Sequence, residues 1–158
     1  VDVFYVELGG FDTHADVLDV VSTKFKDVNV ALTAFVAEMK ALGVWDSVAL
    51  QSLSEFGRTM TSNGRGTDHA WGGNHFLIGG DVSGGKIHGQ YPELRIDGPQ
   101  SVNRLGAMLP GSPWEAVWKP LAEWLGVEDG QLGGVMPNLK EFPASELYAR
   151  GDMFDSLR

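Results

Sequence analysis

Val1-Asp2-Val3-Phe4-Tyr5-Val6-Glu7-Leu8-Gly9-Gly10 opens the chain, and its reading decides the fold expected of everything after it. Valine and aromatic residues suit a pleated, half-buried surface, so residues 1 to 8 read as a strand that the glycine pair ends. Val21, Phe25, Val28, Leu32, Phe35, Met39 and Leu42 then recur at alternating spacings of four and three. That spacing predicts an amphipathic helix, closed by Gly43. Residues 47 to 53 supply a second strand, weakened by Gln51 and Ser52. Strand, helix, strand is the βαβ unit, which implies a right-handed crossover and parallel pairing. In open parallel sheets, ligands gather beyond the carboxyl ends of strands. Asp12, His14 and Glu55 all follow such ends.

Beyond Glu55 the pattern loosens. Residues 57 to 89 are crowded with glycine and carry little periodicity apart from a short strand expected at His75 to Ile78. Trp71, Phe76 and Ile87 in that stretch call for burial, which argues against a loop that merely moves in solvent. Order returns at Ser112-Pro113-Trp114-Glu115, which combines an N-cap, a first-turn proline and a capping-box glutamate. Trp114, Trp118, Leu121 and Leu125 form the apolar stripe of the helix so started, a stripe expected to serve the core. The polar tail from Glu141 to Arg158 fits wrapping the domain, meeting a partner or continuing onward.

Composition narrows the function classes. The 158 residues carry 21 acidic and 12 basic side chains, a formal charge of −9 that disfavours nucleic acid and anionic membranes. With no cysteine, disulfides, thiolate catalysis and cysteine-ligated metals are excluded. No run approaches the roughly 20 apolar residues of a membrane-spanning helix, and no signal peptide is visible. One domain spanning residues 1–158 is expected from this length. The abrupt opening on a strand, without an initiator methionine, suggests a piece of a longer protein.

All four histidines lie between residues 14 and 88. Asp12 and His14 form one carboxylate–imidazole couple, and Asp68 and His69 form another. Such ligands suit a divalent cation, zinc or manganese first, with calcium a further candidate. The Asp12–His14 couple also has an ordinary reading, a capping aspartate beside a surface histidine. Asp68 and His69 are adjacent, so a regular strand would aim them at opposite faces. His75 is preferred over His88 as a further nitrogen ligand. Glu55 reads equally as a ligand, a general base or the ion-pair partner of Arg58. Arg58 suits a phosphate or sulfate oxygen. Ser54, Thr13 and Thr59 sit in no recognisable nucleophile elbow or phosphate loop.

Several of these segments, taken in order, closely resemble the DUF1501 family, which is related to the sulfatases and alkaline phosphatases. They are Gly10-Phe11-Asp12-Thr13-His14, Ser54-Glu55-Phe56-Gly57-Arg58-Thr59, and Asn63 with Gly66-Thr67-Asp68-His69-Ala70-Trp71-Gly72-Gly73. Ile78-Gly79-Gly80 with Gly84-Gly85 completes the series, and Trp124-Leu125-Gly126-Val127 and Met136-Pro137-Asn138-Leu139 look like the end of the same domain. The resemblance is read as spanning nearly the whole chain and the carboxyl-terminal part of the family's usual length.

It implies an α/β fold, a partial alkaline-phosphatase-like sheet flanked by helices. It also implies a metal set of Asp12, His14, Asp68, His69 and His75, with Glu55 and Arg58 as catalytic candidates. Two departures stand out: Asp12 and His14 are closer than the superfamily's usual interval, and Ala70 replaces a frequent glycine. The functional expectation is a metal-dependent phosphatase- or sulfatase-like domain, inactive alone because the nucleophile region is missing. The alternative is a non-enzymatic scaffold that self-associates or pairs with a missing amino-terminal region. An exported or periplasmic location is consistent with the resemblance.

Overall fold

The computed structural model describes residues 1–155. Its principal elements are the helix α1 (Val17–Ala41), the strands β1 (Ala49–Gln51), β2 (Gly57–Ser62), β3 (Thr67–Ala70) and β4 (Leu77–Gly79), and three further helices. These are α2 (Trp114–Trp124), α3 (Asp129–Val135) and α4 (Arg150–Met153). The arrangement is mixed α/β, with two small antiparallel sheets flanked by helices.

The βαβ expectation is corrected on its first strand and on its pairing. Residues 1 to 8 adopt no strand, and Val1, Phe4 and Val6 are 94%, 86% and 88% exposed. β-propensity measures fit to a neighbouring pleated surface, and without such a neighbour the run has no ladder to join. The second strand forms only at β1, which pairs antiparallel with β4, Leu50 opposite Ile78. Ser52 prolongs the contact by donating its amide to the Phe76 carbonyl at 2.9 Å and accepting the Phe76 amide on its hydroxyl at 2.8 Å. The strand expected at His75 to Ile78 therefore starts two residues later.

The helix itself is where the spacing places it. α1 ends as Gly43 takes a left-handed φ of 68°, and the Val44 amide reaches back to the Met39 carbonyl at 3.0 Å. Its apolar stripe shares one face, yet no α1 residue is buried, and Phe25 and Leu42 are exposed. Total accessible area is 10683 Å². A compact monomer of 17.1 kDa would show about 7,700 Å² by the usual mass scaling. Apolar faces such as this one, where no residue is fully buried, contribute to the difference.

The glycine-crowded stretch holds an unforeseen hairpin. β2 and β3 pair antiparallel, with Gly57 opposite Ala70, Arg58 opposite His69 and Ser62 opposite Thr67, and a bulge between. Asn63 closes its turn, its Oδ1 accepting the amides of Arg65 at 3.0 Å and Gly66 at 2.8 Å.

In the last third, α2 begins at Trp114 with Pro113 in the capping position and no side-chain cap. Ser112, expected to cap it, instead shares a 2.9 Å hydrogen bond with the Tyr148 hydroxyl. Trp114 is 42% exposed, so the tryptophan stripe is only partly core. The buried apolar groups are Ala107, Met108, Ala116, Leu132, Met153 and Phe154, joined by Pro120 within α2. As far as Asp155, the tail wraps back onto the domain. Phe154 bridges Val82, stacks on Trp124 at 5.2 Å, and lies next to Asp81, whose carboxylate accepts the Trp124 indole N–H at 2.8 Å.

Candidate metal centre

The centre is assembled by a clamp between the loop at residues 11 to 16 and the β2–β3 hairpin. The Thr67 amide donates to the Thr13 carbonyl at 3.1 Å, and the Val17 amide to the Arg65 carbonyl at 3.3 Å. Asn63 Nδ2 donates to the His14 carbonyl at 3.2 Å, while Arg65 pairs with Asp16 at 3.1 Å. Asp16 itself sits at a left-handed φ of 51°, the turn that starts α1. Gly66 makes the approach possible, since a Cβ there would overlap the Thr13 and His14 backbone. Thr13 is buried beneath the crossing, leaving Asp12 and His14 pointing outward.

Three ligand-type side chains meet there. Asp12 Oδ1 lies 2.8 Å from His69 Nε2 and 3.0 Å from His14 Nε2, and the two imidazole nitrogens are 3.2 Å apart. These atoms form the group of Asp, His and His capable of coordinating one divalent cation. The fit is close. Ligands about 2.1 Å from a tetrahedral zinc stand about 3.4 Å from one another, so the triangle need open by only a few tenths of an ångström. Three protein ligands with a further position for water or substrate is also the count of catalytic zinc sites.

Surrounding groups hold these three. Asp68 Oδ1 lies 3.4 Å from His14 Nδ1, the ring nitrogen facing away from the cluster. A carboxylate there favours the tautomer that leaves Nε2 free for a cation. Asp68 and His69, although adjacent on β3, both reach His14 of the crossing loop, one at each ring nitrogen. Arg58 places Nη2 on Asp12 Oδ1 and on the Phe11 carbonyl at 3.1 Å, and Nη1 on the Thr67 carbonyl at 2.8 Å. Its partner is therefore Asp12, and the alternative ion pair with Glu55 does not form among the described residues. Phe56, not among the candidates read from the sequence, stacks on His69 with ring centroids 4.2 Å apart. Its place two residues before Arg58 in the Glu55-Phe56-Gly57-Arg58 run was the available signal.

Hydrogen bonding from His69 holds the Asp12 carboxyl below its usual range; desolvation opposes it, and Arg58 and the neighbouring imidazoles add to the lowering. That keeps Asp12 anionic, the form a cation needs.

The other candidates lie elsewhere. His75 packs against Trp114 at 4.8 Å, and desolvation lowers its pKa despite a hydrogen bond with the Ser52 backbone. Glu55 lines a shallow recess of about 300 Å³ with Tyr5, Leu53, Ser54, Trp114 and Trp118. His88 lies beside Tyr148 at 5.3 Å. Among the described residues, no helix is long and apolar enough to cross a membrane.

Comparison with known proteins agrees with the segments that carry the geometry. No curated protein and no solved structure matches the chain. A family model described as a protein of unknown function, DUF1501, matches residues 1–107. The match covers the amino-terminal two-thirds of the chain and includes the whole clamp. It corrects the expectation of a carboxyl-terminal portion running nearly to the end of the chain, since Trp124 to Val127 and Met136 to Leu139 fall outside it. Over the residues that build its Asp12–His14–His69 cluster, the chain belongs to the DUF1501 family.

Proposed function

We propose that this chain is a metal-dependent domain acting on phosphate or sulfate esters, with Asp12, His14 and His69 holding a zinc or manganese ion. The observation that carries the reading is the convergence of these three side chains within 3.2 Å of one another, with His69 brought 55 residues along the chain to meet His14 and 57 to meet Asp12. A bound divalent ion would supply an acidified water or a polarised ester oxygen. The chain's own groups do the remainder. Asp68 orients His14 through Nδ1, and His69 and Arg58 hold Asp12 in its anionic form. Arg58, a planar donor fork beside the cluster, is placed to take an anionic ester oxygen. The half-exposed cluster leaves a substrate room to approach.

Turnover of aryl phosphates and aryl sulfates tests the reading. The expected result, in the longest native protein that contains this domain, is metal-dependent hydrolysis that Asp12→Asn and His69→Ala each abolish. Hydrolysis that survives both substitutions would remove the role assigned to the cluster.

A second reading, a partner-binding scaffold, draws on a separate observation. Residues 1 to 8 and the apolar face of α1 stand open to solvent, and accessible area exceeds that of a compact monomer by about 2,900 Å². That excess is on the scale that stable interfaces bury. Sedimentation velocity separates the outcomes: a concentration-dependent dimer supports association, and a monomer at all concentrations opposes it.

A further inference from the structure

Two of the groups that converge on Asp12 share a neighbour. The Phe56 ring lies against the His69 imidazole, 4.2 Å between centroids and 24° from parallel. The Arg58 guanidinium carbon stands 5.1 Å from the centroid of the same ring. His69 and Arg58 also face each other across the hairpin, and both end on Oδ1 of Asp12. One aromatic side chain therefore touches a nitrogen ligand and the cation beside it.

The backbone next to that ring is fixed. Gly57 packs so tightly on Gly72 that a Cβ would overlap the Gly72 carbonyl, and the Gly72 amide is bound to the Met108 carbonyl at 2.8 Å. Met108 belongs to the buried core. Phe56 thus stands on an anchored support, whereas His69 is an exposed side chain on a short strand. A terminal imidazole torsion is broad and weakly preferred by itself, so a stacked ring is an effective way to set its plane. The same ring attracts the guanidinium through its quadrupole, on the side where Arg58 must hold Asp12.

We propose that Phe56 is a positioning residue of the cation site, fixing with one ring both the imidazole plane of His69 and the guanidinium of Arg58. The inference rests on the metal-binding reading above. It assigns to the aromatic position of the Glu55-Phe56-Gly57-Arg58 run the task of aiming Nε2 of His69 at the shared point.

The test is cobalt(II) titration of the whole chain, followed by its visible absorption band, in the parent protein and in Phe56→Leu and Phe56→Tyr. Leucine keeps bulk but not the π face, and tyrosine keeps both. Phe56→Leu is expected to weaken cobalt binding by about 10- to 100-fold, the range seen when supporting groups around a metal ligand are lost, and to alter the band. Its melting temperature should stay at the parent value, and Phe56→Tyr should restore affinity and band. A leucine variant with parental affinity and band would overturn the role of Phe56 while leaving the site intact. A parent protein that takes up no cobalt would instead overturn the metal reading, and this inference with it. Should Phe56→Leu fail to fold, the ring-proton resonances of His69 provide a readout without metal. They should carry the ring-current shift of a stacked neighbour, and unshifted resonances would contradict the stacking itself.

Discussion

The clamp around Asp12 and the extended run before it are neighbours in sequence but opposites in how they are held. Residues 11 to 16 have no strand or helix of their own, yet they are tied to the β2–β3 hairpin by named hydrogen bonds and one glycine contact. Residues 1 to 8 have the stronger local propensity and adopt no strand. Directional contacts with a specific neighbour, rather than propensity, give this part of the chain its order. A β-branched run contributes only when something lies beside it to be paired or packed.

The sharpest way to break the contrast is at Gly66. Gly66→Ala places a methyl group against backbone that cannot swing aside, so the loop and hairpin must separate. A loss of about 3 kcal/mol is expected, as for overpacking in a tight interior, measured by urea denaturation. Zinc binding should fall with it. Parental stability in that variant would mean that the crossing is looser than described.

A pH series distinguishes two histidine and carboxylate environments. Desolvation lowers the His75 pKa, so the folded state binds fewer protons than the unfolded state just below pH 6.5. That group's contribution to stability is present above pH 6.5 and declines as pH falls from there toward its folded pKa. The Asp12 carboxyl is also lowered, from 3.8, so its contribution is present above that value and is lost only as pH drops below it. Melting temperature followed against pH should therefore show two separate declines. His75→Phe should remove the upper one alone, and an upper decline unchanged in that variant would assign it to another group.

The smallest effect is expected at the other pole of the comparison. Phe4 is 86% exposed, and Phe4→Ser should change unfolding free energy by less than about 0.5 kcal/mol, as substitutions at unpacked surface positions do. A cost above about 1 kcal/mol would show that the run is packed in solution, which would favour the scaffold reading.

What the sequence made legible follows the same division. The spacing from Val21 to Leu42 and the stop at Gly43 give α1 directly, because helical periodicity is a local property. The Asp12, His14 and His69 types are legible as candidate ligands from their chemistry. Their partners are not. Nothing in the spacing separates Asp68, which orients His14 through Nδ1, from His69, which enters the cluster through Nε2. Nor does it separate a ligand in this cluster from His75, which packs on Trp114 outside it. The hairpin is hard to read because Gly57 to Ser62 carries Met60 as its one apolar side chain and so shows no alternation, although Asn63-Gly64 is a turn signal in its own right. Strand direction is not legible, since element order alone does not fix pairing, and β1 pairs antiparallel with β4, further along the chain.

The most direct test of the central claim is calorimetric titration of zinc into the whole chain and into Asp12→Ala, His14→Ala, His69→Ala and His75→Ala. The account predicts one equivalent bound by the parent and by His75→Ala, with binding lost in each of the other three. Zinc bound as tightly by His69→Ala as by the parent, or lost in His75→Ala alone, would contradict it.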